Sequence, residues 1–219
     1  TGVVTLTGTQ TLTNKTLTAP KINENVAVTS TATELNLLDG KAAANLALLG
    51  KTEGTNFTDS LLVGHATTGT LNAAQDNTGV GIGALDAITS ADSVTAIGND
   101  AATNVTSGGF STVVGAGAYF TNSTGTNNTA VGRFSLRSST GSNNVALGKD
   151  SGEALSSGSQ NIIIGSNTGD QYPTTGSGNV LIGNNIDADA TSSARTLKIA
   201  GYDGSTTTTW ISGSSAGVV

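Results

Sequence analysis

The sequence predicts a mainly β, elongated, homotrimeric fibre whose head is a parallel β-roll, and three observations point there. A five-residue core closing on Gly recurs seven times between Asn77 and Gly183. Its closing glycines, Gly81, Gly98, Gly115, Gly132, Gly148, Gly165 and Gly183, keep a period of sixteen to eighteen throughout. The chain of 219 residues holds 30 Gly and only 4% aromatic and 11% charged residues. That composition suits narrow, closely stacked backbone rather than a large globular core.

The elements follow in chain order. Over 1–30, the unit TLT recurs at Thr5, Thr11 and Thr16, and Thr alternates with Val4, Leu6, Leu12, Leu17 and Ile22. This is a strand signal, and three identical chains winding together would make it a fibrous β-shaft. Over 31–63 the pattern changes. Thr31 and Glu34 fit a capping box, Leu35 and Leu38 are helical neighbours, and Gly40 can close the helix. Leu46, Leu49 and Gly50 repeat the arrangement. Such short helices are marginal alone, so a three-fold collar packed through Leu is expected, with a strand at Leu61–Val63 leading into the roll.

The roll head is expected over 64–186. The second position of every core is β-branched: Thr78, Thr95, Thr112, Thr129, Val145, Ile162 and Val180. The fourth is Val80, Ile97, Val114, Val131, Leu147, Ile164 and Ile182. These two positions share one face of a strand. The third position faces the other way and is also small or apolar: Gly79, Ala96, Val113, Ala130, Ala146, Ile163 and Leu181. A strand apolar on both faces is covered on both. One face fills its own coil and the other needs a neighbour. The expectation is a homotrimer with Val113, Ala130, Ala146, Ile163 and Leu181 at its axis. Over 187–219 the rhythm breaks, with a new strand at Leu197 and Ile199 and the single Trp, Trp210. A capping tip segment is expected there.

The cores Asn128–Gly132, Asn144–Gly148, Asn161–Gly165 and Asn179–Gly183 resemble the repeats of trimeric autotransporter adhesin heads, the YadA-like β-roll. Val94 and Ser111 depart from it by replacing the leading Asn, and the period is longer than that family's tightest coils. The strings GTQTLTNKTLTAPKI and ATELNLLDG resemble bacteriophage tail-fibre sequence. The resemblance implies a trimeric structural fibre on the surface of a virion, extracellular. It would contact other virion tail proteins and a host cell-surface glycan or protein. The alternative it leaves is the head of a bacterial surface adhesin; a glycan-cleaving tailspike is the third reading. In such fibres a tail of this kind often precedes a cleaved chaperone domain, so Val219 is a candidate boundary. The absence of Met and the start at Thr1 suggest a processed or partial chain.

Charge narrows the partners. The net charge is −6, and the nine Lys and Arg are scattered with no two adjacent, so no basic patch for nucleic acid is expected. No apolar run is long enough to span a bilayer as a helix, so no membrane insertion is expected. Cys is absent, which removes disulfides and thiolate metal sites. His65 is the only His and reads as a loop residue. No cofactor, metal or catalytic residue is expected, and the chain is read as not an enzyme. Asp150 with Glu153 and Asp187 with Asp189 are the carboxylate pairs a glycosidase would need; they read as solvated turn acids. Asn184, Asp187 and Asp189 are the oxygen donors that could hold Ca²⁺.

Aromatic residues are the remaining recognition candidates, because they are so few. Tyr119 shares a register with Leu85, Ala102 and Leu136, four residues after the closing Gly, so it reads as coil filling. Phe120 and Phe134 read as receptor contacts. Tyr202 and Trp210 read either as receptor contacts or as a hydrophobic cap on the last coil.

Overall fold

A computed structural model describes residues 50–51, 56–58, 60–64, 68–172 and 174–217. The expected shaft over 1–30, the helices over 31–49 and His65 lie outside the described residues. Among the described residues the chain is all-β, with no helix, and forms a parallel β-solenoid of about eight turns.

The parallel column consists of β3 (Leu61–Val63), β5 (Thr78–Val80), β6 (Thr95–Ile97), β7 (Thr112–Val114), β8 (Thr129–Val131), β9 (Val145–Leu147), β10 (Ile162–Ile164), β11 (Val180–Ile182) and the start of β12 (Leu197–Tyr202). Equivalent residues stack without slippage: Thr95 pairs with Thr112 and Thr112 with Thr129. At the usual interstrand spacing, eight steps rise about 38 Å. Strand β1 (Gly50–Lys51) pairs antiparallel with β3. Strands β2 (Phe57–Thr58) and β4 (Ala74–Gln75) form a small second sheet, and β13 (Thr207–Gly213) closes the far end antiparallel to β12.

The column is one coil longer at each end than the glycine count alone. Leu61–Val63 and Gly64 stack under Thr78–Val80 and Gly81, so the solenoid includes residues assigned above to the collar. Leu197–Ile199 stack on Val180–Ile182, so it also includes part of the expected tip segment. Neither end coil has a leading Asn; Ser60 and Thr196 stand there. Ser60 Oγ accepts the Asn77 amide at 2.8 Å, as a leading side chain should.

Left-handed corners bend each coil. The residue before the leading position has φ between +53° and +61° at Asp76, Ser93, Phe110, Asn127, Asn143, Gln160 and Arg195. Asn and Asp tolerate this region best, while a bulky side chain there is strained. The closing Gly answers a different need. A Cβ on Gly81 would sit 2.4 Å from the Gly98 carbonyl oxygen, so the stacked corners leave no room for a side chain.

The interior is narrow and complementary. Third-position side chains from Leu62 through Leu181 are fully buried within the single chain, together with Leu85, Ala102, Tyr119 and Leu136. Sizes compensate between neighbours: Ile163 reaches toward Gly152 and Gly169, where added Cβ atoms would meet its Cδ1 at 3.2 Å. The leading Asn side chains run up one wall as a buried hydrogen-bonded ladder. Asn144 and Asn161 each donate their backbone N–H to the side-chain oxygen of the preceding Asn. Ser111 departs from Asn beside Tyr119, whose hydroxyl accepts from Asn128 Nδ2. Burial pushes the Tyr119 phenol up, against hydrogen bonds from Asn128, Ser111 and Asn122 that favour its ionised form.

These contacts correct the assignment of faces. Val113, Ala130, Ala146, Ile163 and Leu181 fill their own coils and are 0% exposed in one chain. They offer nothing to a neighbouring chain. The face left uncovered carries the second and fourth positions. A coil this short has space inside for one apolar side chain per strand, and the single central residue of a three-residue strand is the one that takes it.

Candidate functional site

The fourth positions form a continuous apolar stripe up the outside of the column, flanked by second positions that are Thr in β5–β8 and apolar elsewhere. Leu61, Val80, Ile97, Val131 and Ile162 are each between 37% and 42% exposed. Thr78, Thr95, Val145 and Val180 line the same face and are partly exposed. The in-register stack places like beside like, so the stripe is flat and self-similar. Leu197 and Ile199 extend it onto β12, and Ile211 lies opposite Ile199 on β13. No Asp, Glu, Lys or Arg occupies a second or fourth position from Leu61 to Ile199. Contiguous exposed apolar surface of this kind is uncommon on monomers.

The aromatic candidates divide. Tyr119 is fully buried, as its register predicts. Phe120 is half-buried. Phe134 is also half-buried, and its ring covers Gly117 of the preceding coil. The guanidinium carbons of Arg133 and Arg137 lie 3.8 and 4.6 Å from its ring centre, so the chain's own cations occupy the ring. Sequence reasoning missed Phe110, which is 64% exposed and holds φ +57°. The available signal was its register: it stands immediately before a leading position, where other coils place Asn127 and Asn143.

The carboxylate candidates are engaged in structural contacts. Asp150 pairs with its neighbour Lys149, and Glu153 with Arg137 at 3.1 Å. Asp187 Oδ1 accepts the backbone amides of Gln171 and Tyr172, each at 3.1 Å. Asp189 lies 3.5 Å from Lys198 Nζ. Asn184 is exposed. Among the described residues, no three His, Cys, Asp or Glu side chains converge as metal ligands. Asp170 is pushed above the ordinary carboxylate range by burial, and then by the charge of Asp187.

The far end of the solenoid departs from the coil plan. Ala200 stands one repeat after Gly183, where a closing Gly would turn the chain. The chain continues as strand β12 instead, with a register shift in its pairing to β13 at Ile199/Ala200. Only Leu197–Ile199 pair with β11, while Ala200–Tyr202 pair solely with Thr207–Thr209 of β13. The hairpin end therefore lies beyond the stretch backed by the column. It carries a cleft of about 360 Å³ formed by Gly201, Tyr202, Asp203, Thr206, Thr208 and Trp210. Trp210 is 67% exposed and Tyr202 half-buried. A second cleft of about 420 Å³, beside Asp189, Lys198 and Ser212, flanks the start of the same hairpin.

No protein-family model, curated protein or solved structure matches this chain.

Proposed function

We propose that the chain is a structural segment of a bacteriophage virion fibre. It assembles as a homotrimer, projects from the particle and contributes to host-cell attachment. The observation that supports this best is the uncharged apolar stripe running the length of the column. Three copies joined through their stripes would cover it, extend the core across the axis and yield a stiff rod. Stiffness and three-fold repetition are what attachment needs, because weak sites held together gain avidity without new contacts. The resemblance of the N-terminal strings to tail-fibre sequence favours a phage fibre over a bacterial adhesin head; the repeats alone fit both. The engagement of the paired carboxylates in turn contacts weighs against a glycan-cleaving tailspike.

Light scattering on the purified chain tests the assembly. The expected particle has three times the single-chain mass of 21.5 kDa. Replacing Val80, Ile97 and Ile162 together by Asp is expected to yield a single chain of 21.5 kDa that keeps its β circular dichroism. An unaltered chain that is monomeric at micromolar concentration overturns the reading. Binding of the fluorescently labelled trimer to candidate host cells then tests attachment.

A further inference from the structure

We infer that the free end of the β12–β13 hairpin is a binding cleft for a neutral hexopyranose glycan, with the Trp210 ring as its stacking platform. This rests on the attachment role proposed above and names its ligand class. Four features of the hairpin carry it.

The first is the indole. Trp210 lies against the backbone of Gly201, where an added Cβ would meet Cζ2 at 2.6 Å. Gly201 is thus the residue that lets the ring settle on the strand. In the single chain 67% of the residue is exposed, which offers ring surface to a ligand. An exposed aromatic ring suits the C–H face of a pyranose, which is apolar on one side and ringed with hydroxyls.

Preorganisation is the second feature. Tyr202 Oη donates to the Gly204 carbonyl at 2.9 Å. Asp203 Oδ1 accepts the amides of Ser205 and Thr206 at 2.9 and 2.8 Å, and the Ser205 hydroxyl at 3.2 Å. These bonds fix the turn before any ligand arrives, which lowers the ordering cost of binding.

The third is polarity. The Asp203 carboxylate and the Thr206 and Thr208 side chains supply the polar wall. The volume, about 360 Å³, is at the small end of ligand sites and matches one or two sugar rings. A buried apolar peptide side chain would leave these groups without partners, whereas sugar hydroxyls satisfy them.

Charge is the fourth. Among the described residues that line the cleft, Asp203 is the one carboxylate and none is Lys or Arg. Hydrogen bonds from Thr206 and Ser205 hold its pKa below the ordinary value, so it is anionic at neutral pH. Acidic sugars are repelled and neutral ones accepted.

Trp210 is the only Trp, so its fluorescence reports the cleft directly. The full chain is titrated with maltoheptaose, chitotetraose, mannotetraose and, as acidic probe, tetragalacturonate. Saturable change with at least one neutral oligosaccharide and none with the acidic one is expected. Trp210→Ala should weaken retention on that oligosaccharide, immobilised, by roughly tenfold, and Trp210→Phe should recover most of it. Asp203→Asn should admit the acidic probe. Absence of any saturable response, or undiminished retention of Trp210→Ala, overturns the inference. Light scattering on the same samples keeps the two readings apart: a trimer that binds no glycan sinks the cleft alone, and a monomer that binds one sinks the fibre alone.

Discussion

The side-chain oxygen of Asn144 accepts two hydrogen bonds from Asn161 one coil later, from the backbone N–H and from Nδ2, each at 3.0 Å. Asn161 in turn receives the equivalent pair from Asn179 at 2.9 Å. Each Nδ2 also reaches a carbonyl of its own or a following turn: Asn161 that of Gly176, Asn144 that of Gly158. One residue type thus pins the strand entrance to the loop beside it and to both neighbouring coils. Buried amides in such a chain are stabilising only while every member is present.

Asn161→Ala should therefore cost more than a lost side chain on a surface. It strips the Asn179 amide and the Gly176 carbonyl of partners in the interior, a loss of about 2–3 kcal/mol. Asn161→Ser should cost roughly half as much, because Ser111 at the equivalent position still accepts the following amide, from Asn128, at 3.2 Å. Urea unfolding of the two variants measures the difference. Equal destabilisation would mean that the amide ladder is not what holds these coils in register.

The two faces of one strand should respond in opposite ways. Ile163 is fully buried inside its coil and Ile162 is 40% exposed on the stripe. Ile163→Ala should lower the stability of a single chain by about 2–5 kcal/mol through the cavity it leaves. Ile162→Asp should change single-chain stability by less than about 1 kcal/mol but disrupt assembly. Thermal unfolding alongside light scattering separates the two outcomes. Loss of assembly in Ile163→Ala with normal chain stability would restore the third position to the interface.

That pair also marks how far the sequence carries. Strand positions, register and period were legible because the closing Gly and the β-branched second position recur in every coil. Which face turns inward was not, since both are apolar and pattern alone cannot choose between them. The choice follows from the left-handed corners on either side of each strand, and corner geometry leaves only a faint trace in composition: Asn, Asp, Ser and Gln mixed with an occasional Phe. The hairpin was partly legible. Tyr202 and Trp210 stood out by rarity, but the feature that makes a cleft of them is the replacement of a corner Gly by Ala200, which shows only once the column is extended to Leu197–Ile199.

Phe110 is the clearest case of local conflict. It holds φ +57° in a column where other coils carry Asn127 and Asn143, and it is 64% exposed, so little packing offsets the strain. Phe110→Asn should stabilise the chain by about 1 kcal/mol, which for a domain of this size raises Tm by about 2–4 °C. A fall in Tm would mean that the exposed ring packs against something the single chain lacks, and the residue would join the interaction surface.

Asp170 gives the solenoid a pH dependence of definite sign. Burial raises its pKa above the ordinary 3.8, and the nearby charges of Asp187, Glu153 and Asp150 add to the shift. The folded chain therefore holds this proton more tightly than the unfolded chain. Its contribution favours folding below pH 3.8 and is lost as pH rises through the raised folded value. Asp170→Asn removes the cost of ionisation, so the variant should melt above the parent at pH 7 and converge with it below pH 3.8. Thermal unfolding of both chains across that range measures the convergence. A constant difference at every pH would assign the effect to packing of the side chain, and a parent that melts higher at pH 7 would mean that the charged carboxylate is held by a favourable partner.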